Sequence, residues 1–106
     1  MIARIWHGYT NHANADKYET LLKTEIFPGI ENKQINGFKS IQLLRREHDA
    51  EVEFITIMQF TSLDDIKAFA GNDYEVAYVP PSARQVLTRF DDRAQHYEVE
   101  EHRVYE

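Results

Sequence analysis

Nine consecutive residues, Val52-Glu53-Phe54-Ile55-Thr56-Ile57-Met58-Gln59-Phe60, constrain the fold of this chain more than any other stretch. They are rich in β-branched and aromatic side chains, which favour a pleated strand. Successive side chains of a strand point to opposite faces, so a strand with one wet face is polar at every second position. Between Phe54 and Met58 this strand is apolar on both faces. The sheet that contains it must be covered front and back.

The other elements can be placed around it. Ile2 to Tyr9 alternates as a first strand, with Ile5, His7 and Tyr9 on one face and Arg4 and Trp6 on the other. Asn11-His12-Ala13-Asn14 offers helix caps, and Tyr18, Leu21, Leu22 and Ile26 follow at helical spacing among charged residues. Pro28-Gly29 is expected to break or kink this helix. After the turn signal Asn36-Gly37, Phe38 to Arg46 reads as a second strand and Glu47 to Glu51 as a polar hairpin loop. Ser62-Leu63-Asp64-Asp65 starts a short helix with Ile66, Phe69 and Ala70 inward and Gly71 as its stop. Pro80-Pro81-Ser82 opens a further helix with an apolar stripe of Ala83, Val86, Leu87 and Phe90. Gln95 to Tyr105 alternates as a last strand with polar exposure.

This order, β-α-β-β-α-(α)-β, is that of an α+β, ferredoxin-like βαββαβ fold with a four-stranded antiparallel sheet and helices on one face. A chain of 106 residues builds one such core, so residues 1–106 form a single domain. Helices cover only one sheet face, yet the long strand is apolar on both, and Trp6, Ile41, Leu43 and Leu44 extend that pattern to its neighbours. An apolar sheet face left open would exceed the roughly few hundred square ångströms that a monomer tolerates. The expected cover is the same face of a second copy, giving a homodimer shaped as a dimeric α/β barrel. The alternative is that the third helix or the C-terminal tail wraps the second face.

Eighteen acidic against twelve basic residues leave a net charge of −6, which repels nucleic-acid phosphates and anionic membrane surfaces. Neither nucleic acid nor membrane is expected as a partner. The absence of cysteine removes disulfides, thiolate metal ligands and cysteine nucleophiles. The N-terminal residues lack a signal-peptide pattern, and no apolar run approaches the ~20 residues of a membrane span. A cytoplasmic location is the expectation.

The run from Val52 to Phe69, a long strand leading into a serine-capped helix, resembles the core of the antibiotic biosynthesis monooxygenase-like family, and Met1 to Trp6 and Tyr18 to Phe27 fit that family's first strand and helix. The resemblance spans nearly the whole chain. It implies a cofactor-independent monooxygenase acting on a small aromatic or enolisable substrate. Other members of the superfamily imply the alternatives, a non-catalytic dimeric small-ligand-binding or stress-related protein, or an isomerase on the same scaffold. Haem-degrading members resemble one another in a first-strand asparagine, a helix tryptophan and a histidine about ten residues later. This chain departs at all three places, with His7 near the first, Phe69 at the second and Tyr78 or Val79 at the third.

Oxygenation without a cofactor needs a substrate that becomes an electron-rich anion, a base to ionise it, donors to hold it and an apolar pocket. His7 is the first candidate base and His96 the second; each can equally be a histidine satisfied within the fold. Trp6, Phe69, Tyr74 and Tyr78 are candidate walls for a flat substrate, the two tyrosines lying where a lid would sit or simply packing a turn. Arg84 is a candidate anchor for an anionic substrate group, or the partner of a surface carboxylate. His96, Glu98, Glu100 and His102 share one strand face, but positions two apart lie ~6.8 Å from one another, so at most two or three neighbours could converge on one ion, and the run reads as a solvated edge that discourages sheet aggregation. No metal site and no cofactor are expected.

Overall fold

A computed structural model describes all residues, 1–106. The chain runs through β1 (Ile2–Thr10), α1 (His12–Leu21), a π-helical turn (Leu22–Ile26), α2 (Phe27–Glu31), β2 (Phe38–Glu47), β3 (Val52–Phe60), α3 (Leu63–Ala70), α4 (Pro81–Arg84), β4 (Arg89–Phe90) and β5 (Gln95–Glu98). The sheet is antiparallel with order β2-β3-β1-β4, and β5 pairs with β1 on the same edge as β4. β4 and β5 are thus two halves of one edge strand, interrupted between Phe90 and Gln95. The α+β, ferredoxin-like arrangement expected from the sequence is the one observed. No helix is long and apolar enough to cross a membrane.

The two faces of the sheet separate cleanly by alternation. On β3, Val52, Phe54, Met58 and Phe60 are buried beneath the helices, together with Ala15, Tyr18, Leu22, Ile26 and Ile30 of the first helical stretch and Ile66 and Phe69 of α3. Glu53, Ile55, Ile57 and Gln59 face the other way and are only half-buried. On β1 the even positions Arg4, Trp6, Gly8 and Thr10 are buried and the odd positions Ile5, His7 and Tyr9 are half-buried. Gly8 is required where it stands: a Cβ there would lie 2.8 Å from the Trp6 ring, which crosses the strand at that point.

Three local expectations differ from the structure. Pro28 does not break the first helix. The π turn just before it shifts bonding to i−5, with Phe27 N–H donating to the Leu22 carbonyl, and opens room for the proline ring that an α-turn would deny. The stripe after the prolines is not one long helix: α4 is a single turn, and Phe90 instead enters β4 to pack on Trp6 at 5.9 Å. The last strand stops at Glu98 because its partner runs out, Glu98 pairing with Ile2 at the beginning of β1. Residues 100–106 are exposed, so Glu100 and His102 share no strand face with His96.

Candidate functional site

The buried face of β1 places Arg4 and Trp6 against the floor of a cavity between sheet and helices. Its walls come from Leu22, Ile26, Phe27 and Ile30 around the π turn, from Ile41, Thr56 and Met58 on the sheet, and from Tyr18, Phe69, Tyr78, Val79, Pro80 and Ala83. Twelve of these fifteen residues are hydrophobic, so the space favours an apolar guest. About 40 Å³ is open to the centre of a water-sized sphere. That is room for a few waters, since about 10–15 Å³ on this measure holds one, and less than the ~150 Å³ of a cavity that takes benzene. An aromatic guest therefore requires a wall to move. The stretch from Tyr78 to Pro80 is the candidate: it lies beyond the bridge that pairs Val76 with Arg93, belongs to no helix or strand, and leaves Tyr78 41% exposed.

Arg4 is 4% exposed, a charged side chain inside a core. Nη1 donates to the Tyr74 carbonyl, Nη2 to the Val76 carbonyl at 3.1 Å, and Nη1 also meets His96 Nε2 at 3.0 Å. Burial holds the guanidinium pKa down at about 10, which still leaves it charged at neutral pH. A guanidinium can only donate, so His96 Nε2 must accept and the imidazole proton sits on Nδ1. That Nδ1 is buried and finds no partner. Desolvation first, and the Arg4 charge second, lower the His96 pKa and keep the ring neutral.

His7 lies on the opposite sheet face and does not line the cavity. Its Nδ1 donates to Asp91 Oδ2 at 3.0 Å, and the same oxygen accepts the His7 backbone N–H and Gln95 Nε2, both at 3.2 Å. These bonds fix the orientation of the ring. The Asp91 carbonyl meanwhile accepts Trp6 Nε1–H at 2.7 Å, so one residue between β4 and β5 orients side chains on both faces.

Of the candidates named from sequence, Trp6, Phe69 and Tyr78 come together on the cavity wall, while His7, His96, Tyr74 and Arg84 do not line it. Tyr74 stands edge-on to His96 at 5.2 Å. Arg84 is exposed; its Nε donates to the Val79 carbonyl and its guanidinium lies over Phe90. His96 reaches the site only through Arg4. Sequence reasoning missed Arg4, Tyr18 and Thr56, which supply the polar groups of the lining. The signal for Arg4 was present, since it shares the strand face of Trp6, which the pattern already marked as buried.

The neutral His96 makes a pH prediction. Its folded pKa lies below its ordinary 6.5, so the unfolded chain binds more protons, and stability must fall as pH drops from about 6.5 toward the folded value. Urea unfolding across this range should show that loss in the wild type and a shallower one in His96→Gln, whose amide oxygen can still accept from Arg4. Identical pH slopes would show that His96 does not titrate as described.

No protein-family profile matches the chain, and none of the curated proteins matches it by sequence. Solved structures do match. One is a protein from Bacillus cereus provisionally classed as an antibiotic biosynthesis monooxygenase, with a TM-score of 0.66 at 12% identity over 98% of this chain and 97% of that one. Another is SnoaB, a cofactor-independent oxygenase from Streptomyces nogalater, with a TM-score of 0.56 at 17% identity over 95% of each. At these identities the likeness lies in the architecture, which it covers from end to end: the chain has the ferredoxin-like α+β fold of the antibiotic biosynthesis monooxygenase proteins.

Proposed function

We propose that the protein is a cofactor-independent oxygenase acting on a small aromatic or enolisable molecule held between the sheet and the helices, with Trp6, Phe69 and Tyr78 as its walls. The observation that carries this reading is the apolar cavity with one buried cation against it. Such a site excludes water and holds a developing anion in a medium of low polarity. For a phenol the chemistry balances as phenol plus O₂ giving quinone plus water. A ring C–H becomes C=O, the second oxygen atom leaves as water, and the four electrons taken up by O₂ come from the substrate.

The anion has to form first. The cavity lining carries no carboxylate and no imidazole, so in this reading the substrate is itself acidic and its proton passes to solvent at the mouth. His96 positions Arg4 rather than touching substrate. Tyr74 packs against His96, Arg84 braces the segment beside the mouth, and His7 belongs to the opposite face.

That opposite face supports a second part of the proposal, a homodimer. Ile5, Ile55 and Ile57 lie half-buried on it, Leu44 is 44% and Tyr97 57% exposed, and His7 stands among them. A second copy laid on this face removes the apolar surface from water on both subunits.

Two measurements test these statements. With metal-stripped protein and a dihydroxynaphthalene, an oxygen electrode should record uptake matched one for one by quinone. Ile41→Trp, which fills the cavity from the edge strand, should cut the rate by about tenfold or more. Equal rates in the two proteins would place the reaction elsewhere, and no uptake with phenols or diketones despite ligand binding would indicate a plain binding protein. Sedimentation should give twice the 12.5 kDa chain mass at micromolar concentration, and Ile57→Asp should give the single chain. A monodisperse wild-type monomer would contradict the dimer.

A further inference from the structure

We infer that Arg4 is the anion-recognition group of the cavity, and that the ligand is a flat apolar molecule carrying a single oxyanion. This rests on the reading that the cavity is the ligand site, and adds to it the charge the ligand must bear.

A guanidinium withdrawn from water loses its hydration, at a cost that other groups must offset. Arg45, Arg89, Arg93 and Arg103 lie toward the surface and are all ion-paired. Arg4, almost wholly buried, has no carboxylate within ion-pair distance. Its partners are two backbone carbonyls and an imidazole, which satisfy donors without neutralising the charge. An imidazole brings no negative charge in either protonation state. Guanidinium has five N–H bonds, and Nε makes no hydrogen bond within the chain although Arg4 lines the cavity.

The surroundings are consistent with a guest oxygen at this point. Thr56 and Tyr18 line the same cavity, and neither hydroxyl has a partner in the chain. Burial raises the Tyr18 pKa, so the phenol keeps its proton and can donate it to an anion. The Arg4 guanidinium lies 5.4 Å from the centre of the Phe69 ring, and Lys33 Nζ lies 5.4 Å from the same centre and 4.6 Å from that of Tyr78. A chain of net charge −6 thus places two cations against the aromatic wall of this apolar cavity. Bracing the Tyr74 and Val76 carbonyls is a structural task that does not use this charge, and the test must separate the two roles.

Trp6 is the only tryptophan and lies in the cavity wall, so its quenching by nitroaromatics reports binding directly. The probes are para-nitrophenol at mildly alkaline pH, where it is an anion, para-nitrobenzoate, and the neutral ether para-nitroanisole. The phenolate, the carboxylate or both should bind the wild type about tenfold or more tighter than the ether, as expected for hydrogen bonds to a charged donor. Which of the two binds tighter identifies the kind of oxyanion. Arg4→Met should abolish the preference, the anions losing affinity relative to para-nitroanisole, and Arg4→Lys should restore part of it. Equal affinity for anions and ether in the wild type, or a preference that survives in Arg4→Met, overturns the inference and leaves the cavity reading standing. Equal weakening of all three probes in Arg4→Met reduces Arg4 to a brace and overturns it too. If near-ultraviolet circular dichroism shows Arg4→Met unfolded, Thr56→Val decides, since it should weaken the anions alone and a uniform effect counts against the inference. No quenching by any probe at millimolar concentration would remove the cavity reading itself.

Discussion

The alternation of β1 is the constraint on which the rest of the molecule depends. This strand is paired on both edges, with β3 along its whole length on one side and with β4 and β5 on the other. Its even positions are committed to the helix side and its odd positions to the open side, and a slip of one residue would exchange them. Several contacts pin the register. The Trp6 ring crosses Gly8, Trp6 Nε1 reaches the Asp91 carbonyl, and the fully buried Thr10 hydroxyl donates to the Val86 carbonyl. Arg4 on one face and His7 on the other follow from that register, as does the separation of the cavity from the open apolar face.

The strands and the capped helix were legible in sequence because their signals are local. β3 runs over the Val52–Phe60 stretch read from its two-faced pattern, and Ser62 accepts the Asp65 N–H to start α3 as the capping pattern predicts. The elements that were misread are those decided at a distance. Nothing within Ala83 to Phe90 indicates that Phe90 is taken by Trp6, eighty-odd residues earlier in the chain, rather than by its helical neighbours. The length of β5 is fixed by where β1 begins, not by the alternation of Gln95 to Tyr105. The candidate site divided in the same way. Aromatic walls were recognised by type, whereas Arg4 stands out only once its missing carboxylate is known, which requires the tertiary structure.

Apart from Arg4, the charged side chains of this acidic chain lie toward the surface. Most arginines meet carboxylates where water screens both, and such pairs contribute little to stability. Arg4 differs in being buried, and its three neutral partners hold it in place while leaving the charge uncompensated. His96 is part of that arrangement: its tautomer is dictated by the guanidinium, and Tyr74 packs against its ring. A core that tolerates this cation gains little stability from it, so the feature is best understood as belonging to the cavity beside it.

The central claim is that a ligand enters on the helix side of the sheet. Isotope-filtered nuclear Overhauser spectra of methyl-labelled protein with bound naphthalene test it most directly. The account predicts cross-peaks from the ligand to the methyl groups of Leu22, Ile26, Ile30, Ile41 and Met58, which line the cavity. Cross-peaks confined to Ile5, Ile55 and Ile57 on the other face would contradict it.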